Sequence, residues 1–212
     1  RGTGALPGPW PYWTGPTSEM TMPPASPTLT LQEAWAGRTV RVNISNARGD
    51  FRTIQVWTGG VLRREFNTTN FVIEWTYDDA VASGAVSPQV TFTVIEVNEA
   101  GPSASTSLTV TNSAPAAPTG AIQQGQLSLV LRMAWSTAGD AARHFVTAPA
   151  VGEFPGFSWN GLPNGDPFVD LALPLGVTPE NVFSLRCDDV WGNSSPTTTV
   201  QYQPPPDTGG GD

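Results

Sequence analysis

Pro24-Ala25-Ser26-Pro27-Thr28 returns 91 positions later as Pro115-Ala116-Ala117-Pro118-Thr119. Proline fixes φ and lacks an amide donor, so neither segment continues a helix or a central strand. Just before the second copy, Ser107-Leu108-Thr109-Val110-Thr111 alternates polar and apolar as a half-buried strand does. Residues 110–120 therefore read as a joint. An interval of one small domain between the two proline pairs predicts a module used twice, with this joint as the connector.

The residues between the markers keep the strand period. Segments 28–31 and 38–45 alternate, the second with Val40, Val42 and Ile44 on one face. Asn46-Ala47-Arg48-Gly49-Asp50 is turn chemistry. Segments 53–57, 61–66, 71–75, 90–94 and 106–111 follow, with Gly59-Gly60 as a tight turn and a loop around Gly84. Seven strands at about ten-residue spacing, without a convincing helical pattern, predict an antiparallel sandwich.

A shift of 91 takes Val40, Val42 and Ile44 to Leu131, Met133 and Trp135, and Ile54 to Phe145. It takes Phe92, Val94 and Gly101 to Phe183, Leu185 and Gly192. Inward residues thus meet inward residues with no net insertion. One pair breaks the polarity, since Glu96 meets Cys187, and residues 154–166 have no counterpart. The expected layout is an extended arm over 1–23, sandwiches over 24–113 and 114–203, and a linker over 204–212. The missing initiator methionine and signal core predict a piece of something longer.

Composition narrows the function classes. The net charge of −8 argues against nucleic acid, because phosphate binding needs a basic face. All ten basic residues are arginine. No run of 18 apolar residues exists, so no membrane insertion is expected. Cys187 is alone, which excludes an internal disulfide and CxxC metal spacing. No cofactor is implied by any motif. Stability must come from packing, for which 39% hydrophobic residues and eight tryptophans suffice.

Val97-Asn98-Glu99-Ala100-Gly101-Pro102-Ser103, after alternating Val90, Phe92 and Val94, resembles the F strand and FG loop of fibronectin type III domains. Asp189-Val190-Trp191-Gly192-Asn193-Ser194-Ser195 is a second, looser match. Trp135 falls near the end of a B strand, where that family carries its core tryptophan, and Ile44 stands there in the first copy. Val90 and Asn181 replace the family's F-strand tyrosine. The resemblance implies an all-β chain of two tandem immunoglobulin-like, fibronectin type III β-sandwiches behind an extended N-terminal arm. The tandem also resembles modules of bacteriophage tail-tip and host-specificity proteins. That likeness implies a non-enzymatic structural or adhesive part, located in a virion or secreted by bacteria, that spaces or presents receptor-binding parts. Its partners would be other subunits or domains of a larger assembly and a host surface glycan or protein. The alternative is an accessory pair in a secreted bacterial glycan-degrading enzyme.

Chemistry has few carriers. His144 is the single histidine and reads as a strand residue on a partly exposed face, with no local nucleophile–base signature beside it or Cys187. Asp78-Asp79 and Asp188-Asp189 would point to opposite faces of strands, so neither pair chelates alone. Asp166, beside Asn164 and Gly165, is a loop carboxylate of the kind Ca²⁺ collects, yet no DxDxDG loop is present and no metal is expected. Arg48-Gly49-Asp50 is an RGD tripeptide in a turn, a weak match to integrin ligands. Three glycosylation sequons, at Asn43, Asn67 and Asn193, have meaning in a eukaryotic secretory setting alone. Aromatic residues are the better candidates. Phe157, Trp159 and Phe168, with Trp191 on the second FG loop, read as stacking platforms for sugars, as caps on the second core or as a protein–protein contact. Trp10, Tyr12 and Trp13 read as interface residues of the arm.

Overall fold

The computed structural model describes residues 22–127, 130–136, 140–162, 165–172, 177 and 180–204, with the backbone alone at 122–127 and Leu171. Trp10, Tyr12 and Trp13, with the arm before Met22, lie outside the described residues.

Strict alternation of β-branched and polar residues produces the strands, because successive side chains point to opposite faces. In chain order the first half holds β1 (Thr28–Leu31), β2 (Thr39–Ser45), β3 (Phe51–Thr58), β4 (Val61–Thr68) and β5 (Val72–Thr76), then a short helix α1 (Tyr77–Ala82), β6 (Gln89–Asn98), β7 (Gly101–Pro102) and β8 (Thr106–Thr111). One sheet has the order β1-β2-β5; the facing sheet has β4-β3-β6, with β7 and β8 paired to β6. The second half holds β9 (Thr119–Leu127), β10 (Val130–Ser136), β11 (Ala141–Ala148), β12 (Phe157–Asn160), β13 (Phe168–Ala172), β14 (Val182–Asp189) and β15 (Thr198–Gln201). Its sheets, β13-β10-β9 and β12-β11-β14-β15, repeat the first order strand for strand. The chain is all-β, two fibronectin type III-like sandwiches in tandem.

Each sandwich has its own core. Val40, Val42, Ile44, Ile54, Val56, Trp75, Phe92 and Val94 fill the first, while Leu131, Met133, Trp135, Val146, Phe154, Phe183 and Leu185 fill the second. The cross-strand pair Arg41–Glu74 of β2 and β5 returns as Arg132–Asp170 of β10 and β13.

Two expectations need correction. The 91-residue offset holds for β2/β10 and β6/β14 but not for the strands between. Ile54 pairs with Val94, and Val146 pairs with Leu185, so β11 runs one residue later and Val146, not Phe145, matches Ile54. Val42 pairs with Ile73 and Met133 with Val169, an offset of 96 for β13. The extra length before β13 is given back after it, where the first half carries α1.

That helix is the second correction. Thr76 Oγ1 accepts from Asp79 N at 3.1 Å and Asp79 Oδ2 accepts from Thr76 N at 3.1 Å, a reciprocal capping box. Two carboxylates in the first turn suit the positive end of the helix dipole. Asp78 and Asp79 are therefore helical residues, and Asp79 also pairs with Arg64 at 2.7 Å.

Candidate functional site: an edge cleft and an inter-module seam

Both FG loops are built on one clamp. In the first, Glu96 N donates to Ser103 Oγ at 3.0 Å and Ser103 N donates to Glu96 O at 2.7 Å. In the second, Cys187 N donates to Ser195 Oγ at 3.0 Å and Ser195 N to Cys187 O at 2.8 Å. Asn98 Oδ1 accepts from Ala100 N and Asp189 Oδ1 from Trp191 N, each at 2.9 Å. Gly101 and Gly192 then take φ of 127° and 93°, where a side chain would strain the backbone. Ala100 and Trp191 thus occupy the same station on two copies of one loop.

Trp191 is 3% exposed and belongs to the core of the first sandwich. Its ring meets Trp35 edge-on, with centroids 4.8 Å apart, and Tyr77 at 5.5 Å. Its Nε1 donates to Gly37 O at 2.7 Å. Beside it, the Asn112 amide is turned so that its oxygen accepts from Trp35 Nε1 at 3.2 Å and its nitrogen donates to Asp189 Oδ2 at 2.7 Å. The connector is tied at both ends, by Ser113 N to Trp35 O at 3.0 Å and by Thr198 Oγ1 to Pro118 O at 2.6 Å. The sequence leaves Trp191 as a ligand platform, as a cap on the second core or as a protein–protein contact. The structure places it in the seam, where its ring has no open face for a ligand.

The second locus lies where the C and F strands face each other. In the first sandwich Arg52 of β3 stands opposite Glu96 of β6, both buried, with Nε and Oε1 2.7 Å apart. Arg52 Nη1 also donates to Thr69 O at 2.6 Å and Asn70 O at 3.3 Å, and its guanidinium lies 4.0 Å from the Phe71 ring centroid. Glu96 Oε2 accepts from Gly49 N at 2.8 Å, and Asp50 N donates to Val97 O at 2.7 Å. The RGD tripeptide is thereby held along β6 rather than carried on a free loop.

In the second sandwich the same two stations hold His144 and Cys187. His144 is 4% exposed, which corrects the expected part-exposed face. Its ring lies 5.2 Å from Trp135, and its Nε2 has no hydrogen-bond partner among the described residues. Burial lowers the His144 pKa and raises that of Cys187, so both groups are held neutral.

Beside His144 opens a cleft of about 220 Å³, lined by Trp159, Gly161, Leu162, Gly165, Asp166 and Phe168. Trp159 stands edge-on to Trp135 at 6.5 Å, and its far ring edge covers Gly161, where a Cβ would lie 2.7 Å from Cη2. Gly161 N is fixed by His144 O at 2.8 Å. Phe168 is 39% exposed, with the Arg132 guanidinium 4.9 Å from its centroid. The bidentate bond to Asp170 raises the Arg132 pKa and lowers that of Asp170.

Of the four sequence candidates, Trp159 and Phe168 share this cleft. Phe157, on the same face of β12 as Trp159, turns inward to Phe183, at 6.5 Å, and both it and Trp159 pack against the second core. The Arg52–Glu96 pair and the Trp35/Tyr77 socket escaped the sequence reading, although Arg52 stands in phase with Ile54 and Val56. Among the described residues no three acidic, histidine or cysteine side chains are grouped to hold a metal, and no helix is long and apolar enough to cross a membrane.

No family model matches the chain, and no curated protein does. Among solved structures it is similar to the FN1–FN3 domains of chicken CNTN1, at 14% identity and TM-score 0.35, over 85% of this chain and 68% of that one. It is also similar to a segment of two fibronectin type III domains from chicken tenascin, at 9% identity and TM-score 0.48, over 84% and 99%.

Proposed function

We propose that this chain is a non-enzymatic structural module, a stiff spacer of two sandwiches that positions receptor-binding parts within a larger assembly. The observation that carries this reading is Trp191 seated in the core of the first sandwich. An indole of roughly 200 Å² at about 25 cal/mol/Å² contributes up to ~5 kcal/mol. Half of that, about 2.5 kcal/mol, favours the docked arrangement roughly 70-fold over an open one. Proline at positions 115 and 118 further limits what the connector can do.

Small-angle scattering with NMR relaxation tests the spacer. The native chain should tumble as one elongated body, and Trp191→Ala should give two bodies that reorient separately. An unchanged scattering profile and common tumbling in Trp191→Ala would remove the seam as the source of stiffness.

The setting we favour is a phage tail tip, fibre or baseplate. Its support is the likeness of the two FG-loop sequences to modules of tail-tip and host-specificity proteins. Tail genes flanking the coding sequence would agree with this setting. A hydrolase domain in the same polypeptide would replace it with the accessory-module reading, which the aromatic cleft of the second sandwich favours.

A further inference from the structure

We infer that the open edge of the second sandwich, between β12 and β13, is a binding site for the ring of a neutral saccharide. The inference starts from what fills the same place in the first sandwich. There Arg52 reaches out of the core between β4 and β5, caps the Thr69 and Asn70 carbonyls and lies against Phe71. The buried interior of this edge is filled by a side chain of the protein itself, and the cleft of about 420 Å³ that remains, lined by Phe51 and Asn67 to Asn70, lies outside it without reaching a core residue. At the matching station of the second sandwich the side chain is His144, which is too short to reach that rim, and the space it leaves is the cleft.

The chemistry of the cleft sets the class of occupant. The carboxylate that balances a guanidinium in the first sandwich, Glu96, is replaced by Cys187, a thiol that burial keeps protonated. A cationic side chain reaching the interior would therefore meet no buried counter-charge, since Asp166, the carboxylate of the described lining, is exposed on the rim, and a buried unpaired charge is strongly disfavoured. An anion would meet a neutral imidazole in a chain of net charge −8. A neutral ring with one apolar face and a hydroxyl edge meets both needs. Trp159 and Phe168 offer aromatic surface to the C–H face, and Asp166 on the rim accepts from hydroxyls. His144 contributes a buried imidazole whose Nε2 lacks a partner among the described residues. Aromatic walls with a few convergent polar groups are the usual composition of a small-molecule site. This inference stands apart from the spacer reading, since a flexible tandem would still carry the cleft.

The test titrates neutral gluco-, manno- and galacto-configured tetrasaccharides into the full chain, read by tryptophan fluorescence and by amide shifts. At least one configuration should saturate, with shifts centred on Trp159, Gly161 and Phe168. Phe168→Ala, at an exposed position, should weaken that binding roughly three- to tenfold, the worth of one aromatic contact. The double variant His144→Arg with Cys187→Glu rebuilds the plug of the first sandwich and should abolish binding, with its melting curve confirming that it folds. If the double variant does not fold, Phe168→Ala alone decides. Absence of saturation by every saccharide, or binding indifferent to Phe168→Ala, would overturn the proposal. So would saturation by methylguanidinium where saccharides fail, which would assign the cleft to an arginine side chain of a protein partner.

Discussion

Where β3 crosses β6, the first sandwich buries a guanidinium against a carboxylate; where β11 crosses β14, the second buries an imidazole beside a thiol. The strand orders around the two crossings are the same. The contrast lies in what each solution demands of its surroundings. A buried charge is tolerated only when paired and hydrogen-bonded, so Arg52 and Glu96 recruit the Thr69 and Asn70 carbonyls and the Gly49 amide. That recruitment pins the turn at Gly49 and the loop between β4 and β5, and it fills the buried interior of that edge. The neutral pair asks for nothing comparable, and the corresponding edge stays open. Replacing one partner alone would strand a charge, which explains why both stations differ together between the copies.

The largest expected effect comes from breaking the ion pair. Glu96→Ala leaves Arg52 buried without its counter-charge and should destabilise the first sandwich by about 3–5 kcal/mol in urea unfolding. Arg52→Met with Glu96→Leu should lie near the native stability, while Cys187→Ala should cost only about 1 kcal/mol. Equal losses for Glu96→Ala and Cys187→Ala would erase the contrast between the copies. An intermediate effect is expected at Gly49, where a Cβ would lie 2.7 Å from both Glu96 Oε2 and Val97 O. Gly49→Ala should cost roughly 1–3 kcal/mol, because backbone stands in the way.

The smallest effect separates the copies by pH. Burial depresses the His144 pKa below its ordinary 6.5, so the unfolded chain binds the proton more readily than the folded one. The stability of the second sandwich should be fully present above pH 6.5 and fall as the pH drops below it, by at most about 1.4 kcal/mol per pH unit. His144→Phe should flatten that dependence in a comparison of unfolding at neutral and mildly acidic pH. A dependence that survives the substitution would assign it to other groups.

Much of the fold is legible in the sequence because the β2 and β10 faces are strictly periodic. Val40, Val42 and Ile44, and their partners Leu131, Met133 and Trp135, are all buried as the pattern demands. The reading slips by one residue at β11, where Phe145 looks like the inward residue and His144 like the outward one. The register shifts between Ala141 and Arg143, and Phe145 finds its partner outside, under the Arg186 guanidinium at 4.3 Å. The cleft was half legible: Trp159 and Phe168 could be singled out as aromatics among turn residues, but His144 could not, because its inward face depends on that shift. Trp191 could not be assigned from its own loop, since the socket that receives it lies over a hundred residues earlier, in Trp35, Gly37 and Tyr77.

The peg and socket of the seam also give the join a direction. The second sandwich supplies Trp191, while the matching loop of the first ends in Ala100. The socket's Trp35 has Gln126 at the position 91 residues on. A head-to-tail contact that repeated itself would extend into a filament, as heterologous interfaces do when they fail to close. The lock is not repeated within the pair, because Ala100 stands where the second copy has Trp191 and Gln126 where the first has Trp35. The seam is thus a directional coupling, with the peg on the second sandwich and the socket on the first.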